Sequence, residues 1–198
     1  MLDAEELLHL ALKEMQEGST EKAIAYLKTC LQQNPNNANA QYLIGALHAE
    51  LGMYERAAQE MELALTLDPE LHTGRFQLGL LHITSGNIEK AKEIWFDLVK
   101  LGKEHPLYLF KEGMLDLADN EFEACIEKLK KGIASNAEND ALNNDMLNMI
   151  ARAEEALKQT GGATTAEQVQ QDETKSTTQA QSKVSLTAYE SENDSDTH

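Results

Sequence analysis

Four side chains that could do chemistry recur at a constant interval of 34 residues: Glu14, His48, His82 and Asp116. Carboxylates and imidazoles are the usual protein ligands of zinc, and they are also the commonest general acids and bases. This evenly spaced row is therefore the strongest candidate in the sequence for a metal centre or an acid–base site.

The elements that carry this row argue against such a site. The apolar residues around each member follow three-and-four spacing, which predicts that each member lies on its own helix. Packed helices are separated by about 8–10 Å, whereas the ligands of one zinc ion lie within about 2 Å of it. We therefore expect no metal site, and we expect His48 and His82 to be partly buried and hydrogen-bonded to neighbouring helices.

No other pattern indicates catalysis. The sequence contains no glycine-rich phosphate loop, no nucleophile elbow and no HExxH motif. Cys30 and Cys125 are far apart and lie among apolar helix positions, so we expect them to be reduced, buried thiols. The sequence predicts a protein that is not an enzyme, with no catalytic residue and no cofactor.

The interval of 34 residues extends beyond this row. It also separates small residues that permit close helix crossing, residues that tolerate a left-handed backbone, and large apolar residues. In chain order these sets are Ala11, Gly45, Gly79 and Gly113; then Gly18, Gly52, Gly86 and Asn120; then Leu27, Met61, Trp95 and Leu129. Because one helix pair cannot bury its apolar stripes alone, we expect the copies to stack on one another.

The clearest copy spans residues 41–69, where Gly52 separates two apolar-striped helices and Pro69 ends the second. A 34-residue period with this alternation of small and large residues resembles the tetratricopeptide repeat. The resemblance implies an all-α superhelical α-α repeat array (a tetratricopeptide solenoid). Its units would be residues 4–37, 38–71, 72–105 and a degenerate fourth unit, 106–139. Leu98 replaces a small residue in the third unit, and Pro106 is expected to start the next helix.

Two segments follow the repeats. In residues 140–159 the apolar side chains share one helix face and the polar side chains share another, so we expect a helix that caps the apolar end of the array. The alternative is that this helix occupies the array's own groove. Residues 160–198 have hardly any large apolar side chain and carry a net charge of −5 (7 acidic residues minus 2 lysines), which predicts a disordered acidic tail.

The resemblance also implies where a partner would bind. In such arrays the first helix of every unit lines the concave face, which usually holds the ligand. Apolar or aromatic residues occupy the relevant fifth, ninth and twelfth positions throughout, which predicts a groove for an apolar or amphipathic segment of a protein partner. The expected partner-binding residues are Leu8, Leu12, Met15, Tyr42, Ala46, Phe76, Leu80, Ile83, Phe110, Met114 and Leu117.

The residues present do not fit one well-known subclass of tetratricopeptide proteins, the co-chaperones that bind the C-terminus of heat-shock chaperones. Its members hold the C-terminal carboxylate of heat-shock chaperones with lysine, asparagine and arginine side chains. The matching positions here cannot supply the charge-assisted hydrogen bonds that a buried carboxylate needs. They are Leu8, Leu12, Leu43, Thr73 and Gln77.

The charge limits the remaining partners. A formal net charge of −17 at pH 7 disfavours nucleic acid and anionic membrane surfaces. The acidic N-terminus is unlike a secretory signal and no stretch approaches the roughly 20 apolar residues of a membrane span, so we expect a cytoplasmic protein.

The sequence therefore predicts a non-catalytic protein–protein interaction module, an adaptor or scaffold. One alternative is a self-assembling structural protein, a homo-oligomer in which Trp95 or Phe96 must face outward and the groove is filled by the protein's own C-terminal helix. A more distant alternative is a chaperone similar to those of bacterial type III secretion.

Overall fold

The computed structural model describes residues 2–137 and 139–161, and these residues form helices joined by short turns, with no strand among them. The helix predicted for residues 140–159 extends to Gly161, so the first two residues of the predicted acidic tail, 160 and 161, are helical, and residues 162–198 lie outside the described residues. The helices are α1 (Ala4–Gln16), α2 (Thr20–Gln33), α3 (Ala38–Glu50), α4 (Tyr54–Leu67), α5 (His72–Thr84), α6 (Ile88–Trp95), a 3₁₀ helix (Phe96–Leu101), α7 (Pro106–Ala118), α8 (Phe122–Ser135) and α9 (Asp140–Gly161).

Local chemistry sets where these helices begin and end. The Asp3 carboxylate accepts hydrogen bonds from the backbone N–H groups of Glu5 and Glu6, and the Glu6 side chain accepts one from the N–H of Asp3. This capping box satisfies backbone donors that the first turn of α1 leaves unpaired. At the other end of the array Pro106 is the first residue of α7, as predicted.

The turn inside each helix pair needs a backbone that few residues adopt. The four residues at this position all have φ between +62° and +79°, the left-handed conformation predicted for them. Asn120 adopts it in the fourth unit, where the other three units have glycine. Asparagine is the residue besides glycine that tolerates this region best, so the fourth turn keeps the geometry of the others.

The helices stack as consecutive antiparallel pairs. α1 packs with α2, α3 with α4, α5 with α6, and α7 with α8, while α2 also packs on α3 and α4 on α5. α9 packs against α8 and buries the predicted face of Leu142, Met146, Met149, Ile150 and Ala153. It therefore lies against the second helix of the last pair, with its predicted apolar face buried.

The third pair departs from the others at the end of its second helix. After Trp95 the backbone tightens into the 3₁₀ helix Phe96–Leu101, and α5 packs directly against α7. The change coincides with Leu98, which is buried where the other units have Cys30, Ala64 and Gly132. A leucine, with four side-chain heavy atoms, needs more room at this crossing than cysteine, alanine or glycine, which have two, one and none.

Trp95 and Phe96 divide as the sequence required. Trp95 is 1% exposed, stacks on Phe76 with ring centroids 5.5 Å apart and donates a 2.9 Å hydrogen bond from Nε1 to the Phe76 carbonyl. Phe96 is 73% exposed. Within the described chain, none of the helices has the length and apolar character needed to cross a membrane.

Both cysteines are buried and free. Cys30 Sγ lies 3.2 Å from the Ala4 carbonyl, which ties α2 to the start of α1. Burial raises the pKa of the Cys30 thiol, and burial together with the nearby Asp116 carboxylate raises the pKa of Cys125 to about 11. These thiols remain protonated at neutral pH and pack as small apolar side chains.

Candidate protein-binding groove

Three of the four members of the evenly spaced row, all except His82, join the two helices of their own unit. His48 Nδ1 lies 2.5 Å from Glu60 Oε2, and Arg56 donates to the other oxygen of the same carboxylate. Glu14 pairs with Lys22 at 3.3 Å, and Asp116 pairs with Lys128 at 2.6 Å. Each pair links a first helix to the second helix of its own unit, so the row has a structural role.

The structure brings no metal-binding group together in the part of the chain that it describes: no cluster of three or more histidine, cysteine, aspartate or glutamate side chains could hold an ion. His48 is buried and hydrogen-bonded to the neighbouring helix, as predicted.

The prediction for His82 is confirmed for its partial burial and wrong for its hydrogen bond. Its Nε2 is buried and has no hydrogen-bond partner among residues 2–137 and 139–161. The reason is a substitution in the partner helix: the residue 34 positions after Glu60 is Ile94, which cannot accept a hydrogen bond from its side chain. Burial lowers the pKa of His82 below its ordinary value; the nearby Glu62 carboxylate opposes this lowering and Lys90 adds to it.

His82 should make the protein less stable as the pH falls. Because its pKa is lower in the folded chain than in the unfolded one, the unfolded chain binds the proton first as the pH drops below about 6.5. We expect the free energy of unfolding to decrease between pH 7 and pH 5 less steeply in His82→Gln than in the wild type. Urea unfolding at several pH values measures this, and parallel profiles for the two proteins would contradict it.

The fifth-position rings of the predicted groove pack between units. Phe76 stacks on Trp95 of its own unit and meets Phe110 of the next at a centroid distance of 6.1 Å. A Cβ added to Gly74 would lie 3.3 Å from the Tyr42 ring, which shows that Tyr42 packs against the following unit. Leu8 is buried as well. These residues hold the stack together.

The ninth and twelfth positions are less uniform. Ala46, Leu80 and Met114 are buried, and Met15 is nearly so. Leu12, Ile83 and Leu117 are half-buried. Of the eleven predicted groove residues, these last three keep the most accessible apolar surface in this structure.

The first helices in the middle of the array are buried on all sides. α3 buries eight consecutive residues, 42–49, and α5 buries 76–81. The second helices bury only one stripe; α4 buries Ala57, Met61 and Ala64. A helix that is buried all round has an apolar inner face as well as an apolar face towards its pair.

Sequence reasoning missed the role of Gln77. This residue was considered only as a poor match to a carboxylate-binding position, yet its side chain is 0% exposed. Neither its amide oxygen nor its amide nitrogen has a hydrogen-bond partner within the described residues. The preceding inner position, Thr73, is buried too, and Lys111 one unit later lies 4.5 Å from the Tyr108 ring centroid and pairs with Glu112. Periodicity predicts these positions but not their burial.

Comparison with known proteins agrees with this geometry. Residues 14–72 match the family profile of the tetratricopeptide repeat. The search of curated protein sequences gives no match.

Several solved structures share the fold. The APC/C hetero-tetramer Cut9-Hcn1 is similar with a TM-score of 0.67 and 19% identity over 81% of this chain, although the match spans only 31% of that chain. MamA 41-end from Desulfovibrio magneticus RS-1 is similar with a TM-score of 0.55 and 19% identity, covering 82% of this chain and 97% of that one. The pilF protein of Pseudomonas aeruginosa is similar with a TM-score of 0.56 and 20% identity, and the match covers 81% of this chain and 72% of that one.

Three observations agree on one architecture: residues 14–72 match the repeat profile, all four helix pairs contain the left-handed turn, and each pair stacks on the next. Residues 14–72 therefore match the tetratricopeptide repeat family, and the described chain has the fold of a tetratricopeptide array.

Proposed function

We propose that this chain is a non-catalytic protein-binding module that holds an apolar or amphipathic segment of a partner protein along the inner faces of α1, α3, α5 and α7. One observation carries the proposal: α3 and α5 are buried on all sides, mostly through apolar residues, with His48, Thr73 and Gln77 as the polar exceptions, whereas the second helices bury a single stripe. Stacking against neighbouring units does not require an apolar inner face, but binding an apolar segment does.

Charge and exposure define the partner segment further. The chain carries −17 overall, so a neutral or basic apolar segment is favoured over an acidic one. The half-buried Leu12, Ile83 and Leu117 offer the accessible apolar contacts on the first helices. Such a module would serve as an adaptor or scaffold in the cytoplasm, or as a chaperone for one client.

The test compares apolar-to-acid changes on the two sides of the array. Leu12→Asp with Ile83→Asp alters half-buried positions of the first helices. The matched control, Leu63→Asp with Val99→Asp, alters exposed apolar residues of α4 and of the 3₁₀ helix. Proteins retained from a cell lysate are cross-linked to the wild type, and the cross-linked partner segment is then synthesised as a peptide.

We expect this peptide to bind the inner variant at least about tenfold more weakly than the wild type, because each buried carboxylate must be desolvated without a partner, and to bind the control normally. Fluorescence anisotropy measures both affinities, and circular dichroism checks that both variants are folded. Equal binding to the two variants, or cross-links only to the second helices, would place the interaction elsewhere.

Self-assembly is the second candidate, and one observation favours it. Phe96 and Val99 lie three residues apart on the 3₁₀ helix and are both exposed, so they form an apolar patch away from the first helices. Sedimentation over a range of concentrations separates the two functions, since a groove-binding monomer does not change mass with concentration and a self-assembling protein does.

A further inference from the structure

The apolar core of the described chain is divided into two clusters, and the boundary between them runs through α5. The first cluster contains buried apolar side chains from α1–α4 and also Leu78 and Leu81 of α5. The second contains Phe76 and Leu80 of α5 with buried apolar side chains from α6, the 3₁₀ helix and α7–α9. Of the partly buried side chains in the described chain, Ile94 packs against both clusters. The two cores therefore meet at the third unit.

The third and fourth units are joined by more than the stacking of one pair on the next. α5 packs directly against α7, in addition to the contacts that α6 and the 3₁₀ helix make with α7. The stacked rings of Phe76 and Trp95 also meet Phe110 at this junction. Aromatic pairs of this kind stabilise a contact beyond the area that they bury. Helices α5–α9 therefore hold together as one block.

The junction between the second and third units is more polar. Arg75 of α5 donates a 2.8 Å hydrogen bond to the Pro69 carbonyl, just after α4, and a Glu62–Lys90 ion pair of 3.8 Å joins α4 to α6. Both side chains of this ion pair are 49% exposed, so solvent screens their attraction and the pair contributes little.

Buried polar atoms without partners lie at the same junction. Arg75 Nε and His82 Nε2 are buried and have no hydrogen-bond partner among the described residues. Burial lowers the pKa of His82 and the Glu62 carboxylate of α4 opposes this lowering, which places His82 beside the second unit. A buried donor or acceptor without a partner favours any arrangement in which water reaches it. Rotation at this junction is therefore less costly than rotation at a junction closed by aromatic rings.

We propose that the array consists of two rigid blocks, α1–α4 and α5–α9, which rotate relative to each other about the contact between α4 and α5. Leu78 and Leu81 stay packed on the first block and serve as the pivot. Since each unit of a repeat array contacts only its neighbours, one compliant junction is enough to change the curvature of the whole inner face.

The hinge divides the accessible apolar contacts of the groove. Leu12 lies on the first block, whereas Ile83 and Leu117 lie on the second. A partner segment that contacts all three bridges the blocks and fixes the angle between them. This consequence rests on the proposed function, whereas the hinge itself does not.

The repeat provides matched label sites for the test. One exposed glutamate recurs in the first turn of all four second helices, at intervals of 34 residues: Glu21, Glu55, Glu89 and Glu123. Cysteine substitutions at adjacent sites place one spin-label pair within the first block (21 and 55), one across the hinge (55 and 89) and one within the second block (89 and 123). The two native thiols are buried, so the added cysteines take the labels.

We expect the distribution of label-to-label distances to be at least about twice as wide for the pair across the hinge as for either pair within a block. Electron paramagnetic resonance measures the three distributions. Chains with a single label give the mobility of each label alone, and circular dichroism checks that every chain is folded. Because the three pairs occupy equivalent positions, a difference in width reports on the junctions.

The other outcomes overturn the proposal. Equal widths for the three pairs would show that the array has no preferred hinge. The greatest width for the pair at 89 and 123, or for the pair at 21 and 55, would place the compliant junction elsewhere. No partner takes part in this experiment, so its result is independent of the test of the proposed function.

Discussion

Replacement of Trp95 by alanine should destabilise this protein by about 3–5 kcal/mol, the range observed when a large aromatic side chain is removed from a core. The indole is almost completely buried, stacks on Phe76 and donates a hydrogen bond to the Phe76 carbonyl. Since Phe76 also meets Phe110, the cavity would weaken the contact between the third and fourth units. Native domains have only about 5–15 kcal/mol of stability in total, so this single change should lower the urea midpoint markedly.

The neighbouring residue is the control for this prediction. Phe96→Ala removes a ring of comparable size that is mostly in solvent, and its effect on stability should lie within about 0.5 kcal/mol of zero. Because the chain contains one tryptophan, its fluorescence follows unfolding of Phe96→Ala directly, and circular dichroism follows both variants. Similar costs for the two substitutions would show that Trp95 is not the anchor of this part of the core.

A single methyl group at Gly79 should be nearly as damaging. A Cβ at this position would lie 2.1 Å from Trp95 Nε1 and 2.3 Å from Cε2, so the indole would have to move. Movement breaks its hydrogen bond to Phe76 and disturbs the stacked rings. Overpacking costs about 1–3 kcal/mol and a lost buried hydrogen bond a similar amount. The higher helix propensity of alanine offsets up to about 1 kcal/mol of this cost. We therefore expect Gly79→Ala to lower the free energy of unfolding by about 2–4 kcal/mol.

Gly45 provides the matched control, since it occupies the same position one unit earlier. There an added Cβ meets the flexible Met61 side chain at 3.0 Å and the Ala57 carbonyl at 3.1 Å. The neighbour must yield by only a few tenths of an ångström, and the helix propensity of alanine offsets that cost. Gly45→Ala should therefore change the free energy of unfolding by less than about 1 kcal/mol. Equal effects at the two glycines in urea unfolding would contradict the role assigned to the indole.

These two glycines show how far the sequence can be used. The period identified both as close-crossing positions, and the structure confirms that both face the second helix of their unit. The difference between them depends on whether the opposing large residue is Met61 or Trp95. The sequence shows that an indole is stiffer than a methionine side chain. Only the structure shows that a Cβ at Gly79 would lie 2.1 Å from Trp95 Nε1.

The predicted binding residues show that the sequence does not distinguish apolar residues of the groove from apolar residues of the core. Eleven apolar positions were assigned to the groove, yet rings such as Phe76 and Phe110 pack against each other and against the second helices. An apolar residue on a first helix can face its pair, the next unit or the groove, and periodicity alone does not separate these surroundings. The half-buried Leu12, Ile83 and Leu117 stand out only once their exposure is known.

The sequence by itself determined the helix pairs, their left-handed turns, the start of α7 at Pro106 and the apolar face of α9. These features depend on residues within one or two helical turns of each other, so local spacing and residue type are sufficient. Only the tertiary structure decided that Phe96 faces outward, that the third pair ends in a 3₁₀ helix and that Gln77 is buried. It also decided that His82 Nε2 has no hydrogen-bond partner within the described part of the chain. Each of these depends on how one helix lies against another, and such contacts between units are set by the summed packing of many side chains.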